Sequence, residues 1–128
     1  MSVWYDIDSA NKTLMLVGEG GLSITDLHDL TTLPMGDPAW MSGLFICCDL
    51  RNSEPDFPNQ AIPNLVDRHR RCVHYWGNAR CAFVANSSVM YGICRMYTLY
   101  ASAMLDTSIA FQVFRNIQDA RGWLVSSS

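Results

Sequence analysis

The feature of the sequence that most restricts its fold is an apolar run at positions 44–50, LFICCDL. The run has the length of a β-strand, and its apolar residues occupy both odd and even positions. A strand with one face in water alternates apolar and polar residues, whereas a strand covered on both faces does not. This run therefore predicts a strand in a sheet that has helices above and below it.

The segments around this run predict the other elements. The stretches SVWYDID and TLMLVGE, separated by a turn at residues 9–12, predict a β-hairpin, and Gly20-Gly21 should end its second strand. Ser23 opens a capping box before a helix over about residues 24–33. The later predictions are a helix with Pro63 in its first turn that ends near Gly77, a strand at 81–85, a helix over about 88–105, a strand at 109–114 and a final helix capped by Asn116.

The order β-β-α-β-α-β-α-β-α implies an α/β fold. We predict a single domain over residues 1–128, with a mostly parallel five-stranded sheet, an antiparallel N-terminal hairpin and about four helices. The chain has ample apolar material for one core, since 49 % of its 128 residues are hydrophobic and 16 % are charged. The predicted core residues are Val17, Ile46, Leu65, Phe83, Ile93, Val113 and Trp123.

Charge and hydropathy narrow the class of partner and the location. The net charge is −3 and the charges are scattered, so we expect no nucleic-acid partner. The N-terminus has acidic rather than basic residues before its apolar stretch, which is the wrong polarity for a signal peptide. No segment has the roughly 18 uncharged apolar residues of a membrane span. We therefore expect a cytoplasmic protein.

The cysteines and histidines predict neither a metal site nor a catalytic set. The five cysteines are odd in number and contain no Cys-x-x-Cys, so we expect buried or half-buried free thiols. On a helix, His69, Cys72 and His74 do not converge on one point. We expect His28 to be exposed and His69 to be a core histidine. The sequence thus predicts no cofactor and no enzymatic activity.

Five short motifs resemble, in order and spacing, those of a group of small bacterial proteins of unknown function. In that group Asp-Pro-x-Trp precedes a strand ending Asp-Leu-Arg, a helix carries Tyr-Gly-x-x-Arg-Met, and Val-Phe-Arg precedes a helix with Trp-Leu. These proteins are grouped as similar to the sporulation anti-anti-sigma factor, and their fold is called STAS-like. The resemblance implies a STAS-like domain that is a non-catalytic protein-interaction or regulatory module. The matching residues are Asp37, Pro38, Trp40, Asp49, Leu50, Arg51, Tyr91, Gly92, Arg95, Met96, Val113, Phe114, Arg115, Trp123 and Leu124.

The resemblance does not extend to the phosphorylation switch of true anti-anti-sigma factors. Their strand leads to an Asp-Ser-Ser-Gly turn whose serine a partner kinase phosphorylates, whereas residues 52–56 here are Asn-Ser-Glu-Pro-Asp. A phosphorylation switch at Ser53 is therefore poorly supported. Asp49 and Arg51 are expected to end a buried strand and to pair with neighbouring groups.

A ligand crevice remains a second interpretation of the same strand end. Open α/β sheets bind ligands at the C-terminal ends of their strands. The crevice would gather Asp49, Arg51, Asn52 and Ser53 from the third strand and Asn86, Ser87 and Ser88 from the fourth. Ser87 and Ser88 would lie at a helix N-terminus, where they could help to hold an anion or could simply cap the helix.

The predicted long helix has more apolar residues than one sheet face can cover. Its only charged residue is Arg95, so a second contact is expected. That contact could be a neighbouring helix, a self-association surface or a pocket. We predict that Tyr97, Tyr100 and Met104 point outward and form a weak homodimer, while Val89, Ile93 and Met96 face the sheet. The alternative is a small apolar or amphipathic ligand, such as a lipid, in a cavity bounded by Tyr91, Met96, Tyr97 and Tyr100.

Overall fold

A computed structural model describes residues 2–126 of the chain. The strands are β1 (Val3–Asp8), β2 (Thr13–Leu22), β3 (Phe45–Pro55), β4 (Arg80–Val84) and β5 (Ala110–Phe114). The α-helices are α1 (Ile24–Thr32), α2 (Ala61–His69), α3 (Ser88–Met104) and α4 (Ile117–Leu124), and short 3-10 helices span Leu33–Gly36 and Val73–Tyr75.

The five strands form one sheet in the order β1-β2-β3-β4-β5. Strands β1 and β2 pair antiparallel, and every later pair is parallel. Each parallel pair is joined by a connection that contains a helix, as parallel strands require. The predicted α/β fold, with its antiparallel hairpin and four α-helices, is confirmed.

Helices cover the two faces of the sheet unequally. The larger core lies between the sheet and helices α1, α2 and α3, while α4 alone packs on the other face. Strand β3 contributes to both cores: Ile46 and Cys48 belong to the larger core, and Cys47 belongs to the core under α4. The continuous apolar run predicted such a strand, and the prediction is confirmed.

Strands β2 and β3 continue beyond their predicted ends. Gly20-Gly21 does not end β2, because Gly20 pairs with Ser53 and Leu22 pairs with Pro55 of an equally extended β3. The register shifts by one residue between Val17 and Glu19, as it does at a β-bulge. A Cβ atom on the intervening Gly18 would lie 2.7 Å from Leu22 Cδ1, so a larger residue would crowd the Leu22 side chain.

The helix starts follow local signals in the sequence. Ser23 forms a capping box with Asp26 at the start of α1. Ser87 and Asn116 each accept a hydrogen bond from the first turn of the helix that follows, α3 and α4 respectively. These bonds satisfy N–H groups that lack partners within the helix, which is why the caps could be predicted from residue type.

The predicted core residues divide into a buried set and a half-buried set. Ile46, Leu65 and Ile93 are buried, as predicted. Val17, Phe83, Val113 and Trp123 are only half-buried. Trp123 packs against the small core under α4, where a single helix covers the sheet. Phe83 and Val113 pack against the larger core, and Val113 belongs to the edge strand β5.

Candidate functional site

The predicted crevice exists at the C-terminal ends of the strands. It has a volume of about 420 Å³ and lies where β2 and β3 approach the start of α3. From the predicted set it brings together Arg51, Asn52, Ser53 and Ser87, whereas Asp49, Asn86 and Ser88 do not line it. The sequence missed other residues because β2 and β3 are longer than expected. The full lining is Gly20, Arg51, Asn52, Ser53, Glu54, Pro55, Ser87 and Val89.

Asp49 and Arg51 form an ion pair beside this crevice. The Nε and Nη2 atoms of Arg51 donate to the two carboxylate oxygens of Asp49 at 2.9 and 2.8 Å. Burial by itself would raise the pKa of Asp49, but the hydrogen bonds and charge of Arg51 outweigh burial and lower it. The two groups therefore satisfy each other, and Arg51 keeps 38 % of its side chain exposed.

The serines of the crevice are engaged in local structure. The buried Ser53 hydroxyl donates to the backbone carbonyl of Leu50 at 2.8 Å. The Ser87 side chain accepts from the backbone N–H of Met90 and caps α3. Ser88 is the exposed first residue of that helix. The hydroxyls of Ser53 and Ser87 thus stabilise the backbone.

A polar chain of three side chains crosses the larger core. Thr31 Oγ1 donates to the carbonyl of His28 and lies 3.0 Å from His69 Nε2, while Tyr97 Oη lies 2.7 Å from His69 Nδ1. Because the Thr31 proton is used, His69 must donate from Nε2 to Thr31. His69 Nδ1 then accepts from the Tyr97 hydroxyl. The arrangement selects one neutral tautomer of His69.

Burial lowers the pKa of His69 to about 3, and the nearby His28 and Arg68 lower it in the same direction. The prediction of a core histidine is confirmed. The expectation that His28 is exposed is wrong, because its half-buried ring stacks on His69 with centroids 6.0 Å apart. Thr31 was missed, although a polar residue within the apolar stripe of α1 signals a buried partner.

The cavity beside this polar chain is small and almost wholly apolar. Its volume is about 60 Å³, well below the roughly 150 Å³ of an engineered cavity that binds benzene. Tyr97 lines it, but Tyr91, Met96 and Tyr100 do not. The cavity therefore lacks the boundaries predicted for a lipophilic ligand site, and the ligand-binding alternative is not supported.

The five thiols have the environment of structural cysteines. Four are buried and Cys72 is half-buried, as predicted. Burial raises the pKa of Cys47 to about 11 and that of Cys94 to about 12. It also raises the pKa of the other three thiols. All five are protonated near neutral pH, and the protonated form is a poor nucleophile and metal ligand. Within residues 2–126, no group of three or more potential ligands could hold a metal ion.

Helix α3 is rotated relative to its predicted orientation. Tyr97 is buried rather than outward, and Val89 is 64 % exposed rather than packed on the sheet. The prediction rested on helical spacing alone, which does not show that the Tyr97 hydroxyl has a buried partner in His69. The residues that face the core are Met90, Ile93, Cys94, Tyr97 and Ala101.

The opposite side of α3 presents what we term the outer stripe: Val89, Gly92, Leu99 and Ala103. All four residues are exposed, whereas Met96 beside them is half-buried and packs against the larger core. Tyr100 borders the stripe with 39 % of its surface exposed. Arg95 is exposed beside the stripe and is the only charged residue of the helix. Nearby, the half-buried ring of Tyr91 lies under the guanidinium of Arg115, 4.1 Å from ring centroid to Cζ.

Comparison with known proteins identifies the fold. No protein-family model matches the sequence, and no curated protein matches it. A similar solved structure is that of an uncharacterised protein of the DUF3478 family from Shewanella loihica PV-4, described as having a SpoIIAA-like fold. The two chains share 14 % identity and a TM-score of 0.60 over 95 % of this chain and 91 % of that chain. The fold is SpoIIAA-like. The STAS-like architecture implied by the sequence motifs is thereby confirmed.

No helix within residues 2–126 combines the length and apolar character needed to cross a membrane.

Proposed function

We propose that the protein is a non-catalytic protein-interaction or regulatory module of the STAS type. The observation that carries this proposal is the outer stripe, on which Val89 and Leu99 expose about two thirds of their surface. Soluble proteins rarely leave a contiguous apolar patch uncovered unless it contacts a partner. The outer stripe is therefore the surface through which the module works, and it is also where we expect self-association.

The state of the ionisable groups supports a role without catalysis. His69 has both ring nitrogens engaged and a strongly lowered pKa, so it is a poor proton acceptor. The thiols are protonated, and Asp49 is paired with Arg51. These groups are paired or protonated, so they are not available to act as general bases or nucleophiles.

The composition supports a protein partner. Tyrosine, methionine and arginine are enriched in interface cores, and Tyr100, Met96 and Arg95 lie on or beside the outer stripe. The net charge of −3 gives no attraction for the phosphates of nucleic acid.

Site-specific photocrosslinking in the producing organism tests the proposal. A photoreactive amino acid at Leu99 should yield a discrete protein adduct, because the outer stripe contacts a partner. The matched control is the same amino acid at Gln118, an exposed position on α4 across the sheet, which should yield none. Absence of any adduct at Leu99 would contradict the proposal.

A further inference from the structure

A groove lies on the α4 side of the sheet, between that helix and the β1–β2 hairpin. Its volume is about 600 Å³, within the roughly 300–1,000 Å³ of small-molecule sites. Helix α4 packs mainly on β3, β4 and β5, so the groove opens over β1 and β2. The lining residues that bear on its chemistry are Asp6, Asp8, Met15, Cys47, Arg121 and Leu124.

Three residues in register form a row across the floor of the groove. Asp6 of β1 pairs with Met15 of β2, and Met15 pairs with Cys47 of β3. Their side chains point to the α4 side, because the residues that flank Met15 and Cys47 along their strands belong to the larger core on the other face. Adjacent strands are about 4.8 Å apart, so the two ends of the row are about 10 Å apart.

Arg121 lies near the Cys47 end of this row. Its positive charge acts on the Cys47 thiol and on the Asp49 carboxylate, both on β3. Asp49 does not bind Arg121, because both carboxylate oxygens accept hydrogen bonds from Arg51. In the described part of the chain, the side chains of Asp6 and Arg121 form neither a hydrogen bond nor an ion pair. The groove therefore presents a negative charge at one end and a positive charge at the other.

We infer that this groove binds a small zwitterion, with its ammonium group on Asp6 and its carboxylate on Arg121. A charge-assisted hydrogen bond of about 2.8 Å at each end of a row about 10 Å long leaves about 4–7 Å between the charges of the ligand. Three to five carbon atoms between the ammonium and the carboxylate span this distance. The two charged groups of an α-amino acid share one carbon and are too close together to reach both residues.

The remaining groups of the groove match the same ligand. Asp8 lies two residues from Asp6 on the same side of β1, and its carboxylate accepts hydrogen bonds from Asn11 at 3.2 and 2.7 Å. These bonds lower the pKa of Asp8, so it adds negative charge beside the ammonium end. Met15 and Leu124 provide an apolar surface for the carbon chain between the two charges.

This groove is separate from the other surfaces of the molecule. It contains no residue of the outer stripe or of the crevice, and it lies across the sheet from the apolar cavity beside His69. The inference goes beyond the proposed function and does not depend on it. Photocrosslinking at Leu99 tests the outer stripe alone, whereas the titration below tests the groove alone.

Titration of the whole, ¹⁵N-labelled chain at low salt, followed by NMR, is the test. Either 4-aminobutanoate or 6-aminohexanoate should bind with a dissociation constant of about 1 mM, the weak affinity expected of so few atoms at an open site. Hexylamine and hexanoate, which each lack one charge, should bind at least about threefold more weakly, and so should glycine, whose charges are too close together.

Variants with one charge removed test the two ends of the groove. Asp6→Asn and Arg121→Gln should each raise the dissociation constant at least about threefold. The matched control, Arg68→Gln, removes a charge from an exposed position of α2 across the sheet and should change nothing. All three positions are exposed, so the circular dichroism should match the wild type.

Three results would overturn the inference. The first is no saturable binding of either amino acid up to about 50 mM. The second is binding of hexylamine or hexanoate as tight as that of the amino acids, since one charged end would then be unused. The third is an unchanged dissociation constant in the Asp6 or the Arg121 variant.

Discussion

The inner and outer faces of α3 are both apolar, yet they have opposite environments. Met90 and Ala101 on the inner face are completely buried, whereas Val89 and Leu99 on the outer face are 64 % and 66 % exposed. The inner face also carries the Tyr97 hydroxyl, which is bonded to the buried His69. Hydrophobicity alone therefore does not identify the buried face of this helix. The hydrogen bond of the Tyr97 hydroxyl to a buried partner does identify it.

The largest expected difference between the faces comes from introducing a charge. Ile93→Asp should unfold the protein, because an unpaired buried carboxylate costs several kcal/mol, of the order of the whole stability of a domain. Leu99→Asp, six residues along on the outer face, should leave the fold intact and cost about 0.5–1 kcal/mol in helix propensity. Far-UV circular dichroism and urea denaturation distinguish the two. Equal stability of the two variants would refute the assignment of the faces.

The buried histidine behind the inner face predicts a stability that depends on pH. The pKa of His69 is about 3 in the folded chain and near 6.5 when unfolded, so between these values the unfolded state binds more protons. The free energy of unfolding should fall by about 1.4 kcal/mol for each pH unit below 6.5, or about 3 kcal/mol by pH 4.5.

Urea denaturation at several pH values measures this slope. His69→Gln provides the comparison, since glutamine does not titrate and should remove this part of the pH dependence. A slope that persists in the variant would assign the acid sensitivity to other groups.

Removing a hydroxyl from each face gives a smaller contrast. Tyr97→Phe leaves the buried Nδ1 of His69 without a donor and should cost about 1–3 kcal/mol. Tyr100→Phe removes a hydroxyl from a side chain that is 39 % exposed and should change the unfolding free energy by less than about 0.5 kcal/mol. Similar losses of unfolding free energy in the two variants, measured by chemical denaturation, would show that the bond to His69 adds no more stability than an exposed hydroxyl.

The smallest expected effect is a gain in stability on the outer face. Gly92→Ala should stabilise the dilute monomer by about 0.5–1 kcal/mol, because alanine favours the helix and nothing lies within 4 Å of the added Cβ. Gly18→Ala should do the opposite, because its Cβ would lie 2.7 Å from Leu22 Cδ1. Melting temperatures measured at about 1 µM report both. Destabilisation by Gly92→Ala would mean that the outer face is already covered within the monomer.

Residues close together in the sequence determined much of the fold. The caps at Ser23, Ser87 and Asn116 use hydrogen bonds that span three residues, so residue type alone predicts them. The continuous apolar run of β3 likewise predicted that both faces of this strand are covered. These local signals were sufficient for the order of elements, whereas the STAS-like class was implied by the resemblance of the motifs. Most element ends lie within two residues of their predicted places, but α2 ends at His69 rather than near Gly77.

Contacts between distant residues decided what the sequence left open. Gly20 and Ser53 are 33 positions apart, and only their pairing extends β2 and β3 and so defines the lining of the crevice. The orientation of α3 depends on Tyr97 meeting His69 across 28 positions. An apolar pattern allows several rotations of such a helix, because burial has no direction, whereas a buried hydrogen bond permits only one. The tertiary structure therefore decided which apolar face stays exposed as the outer stripe.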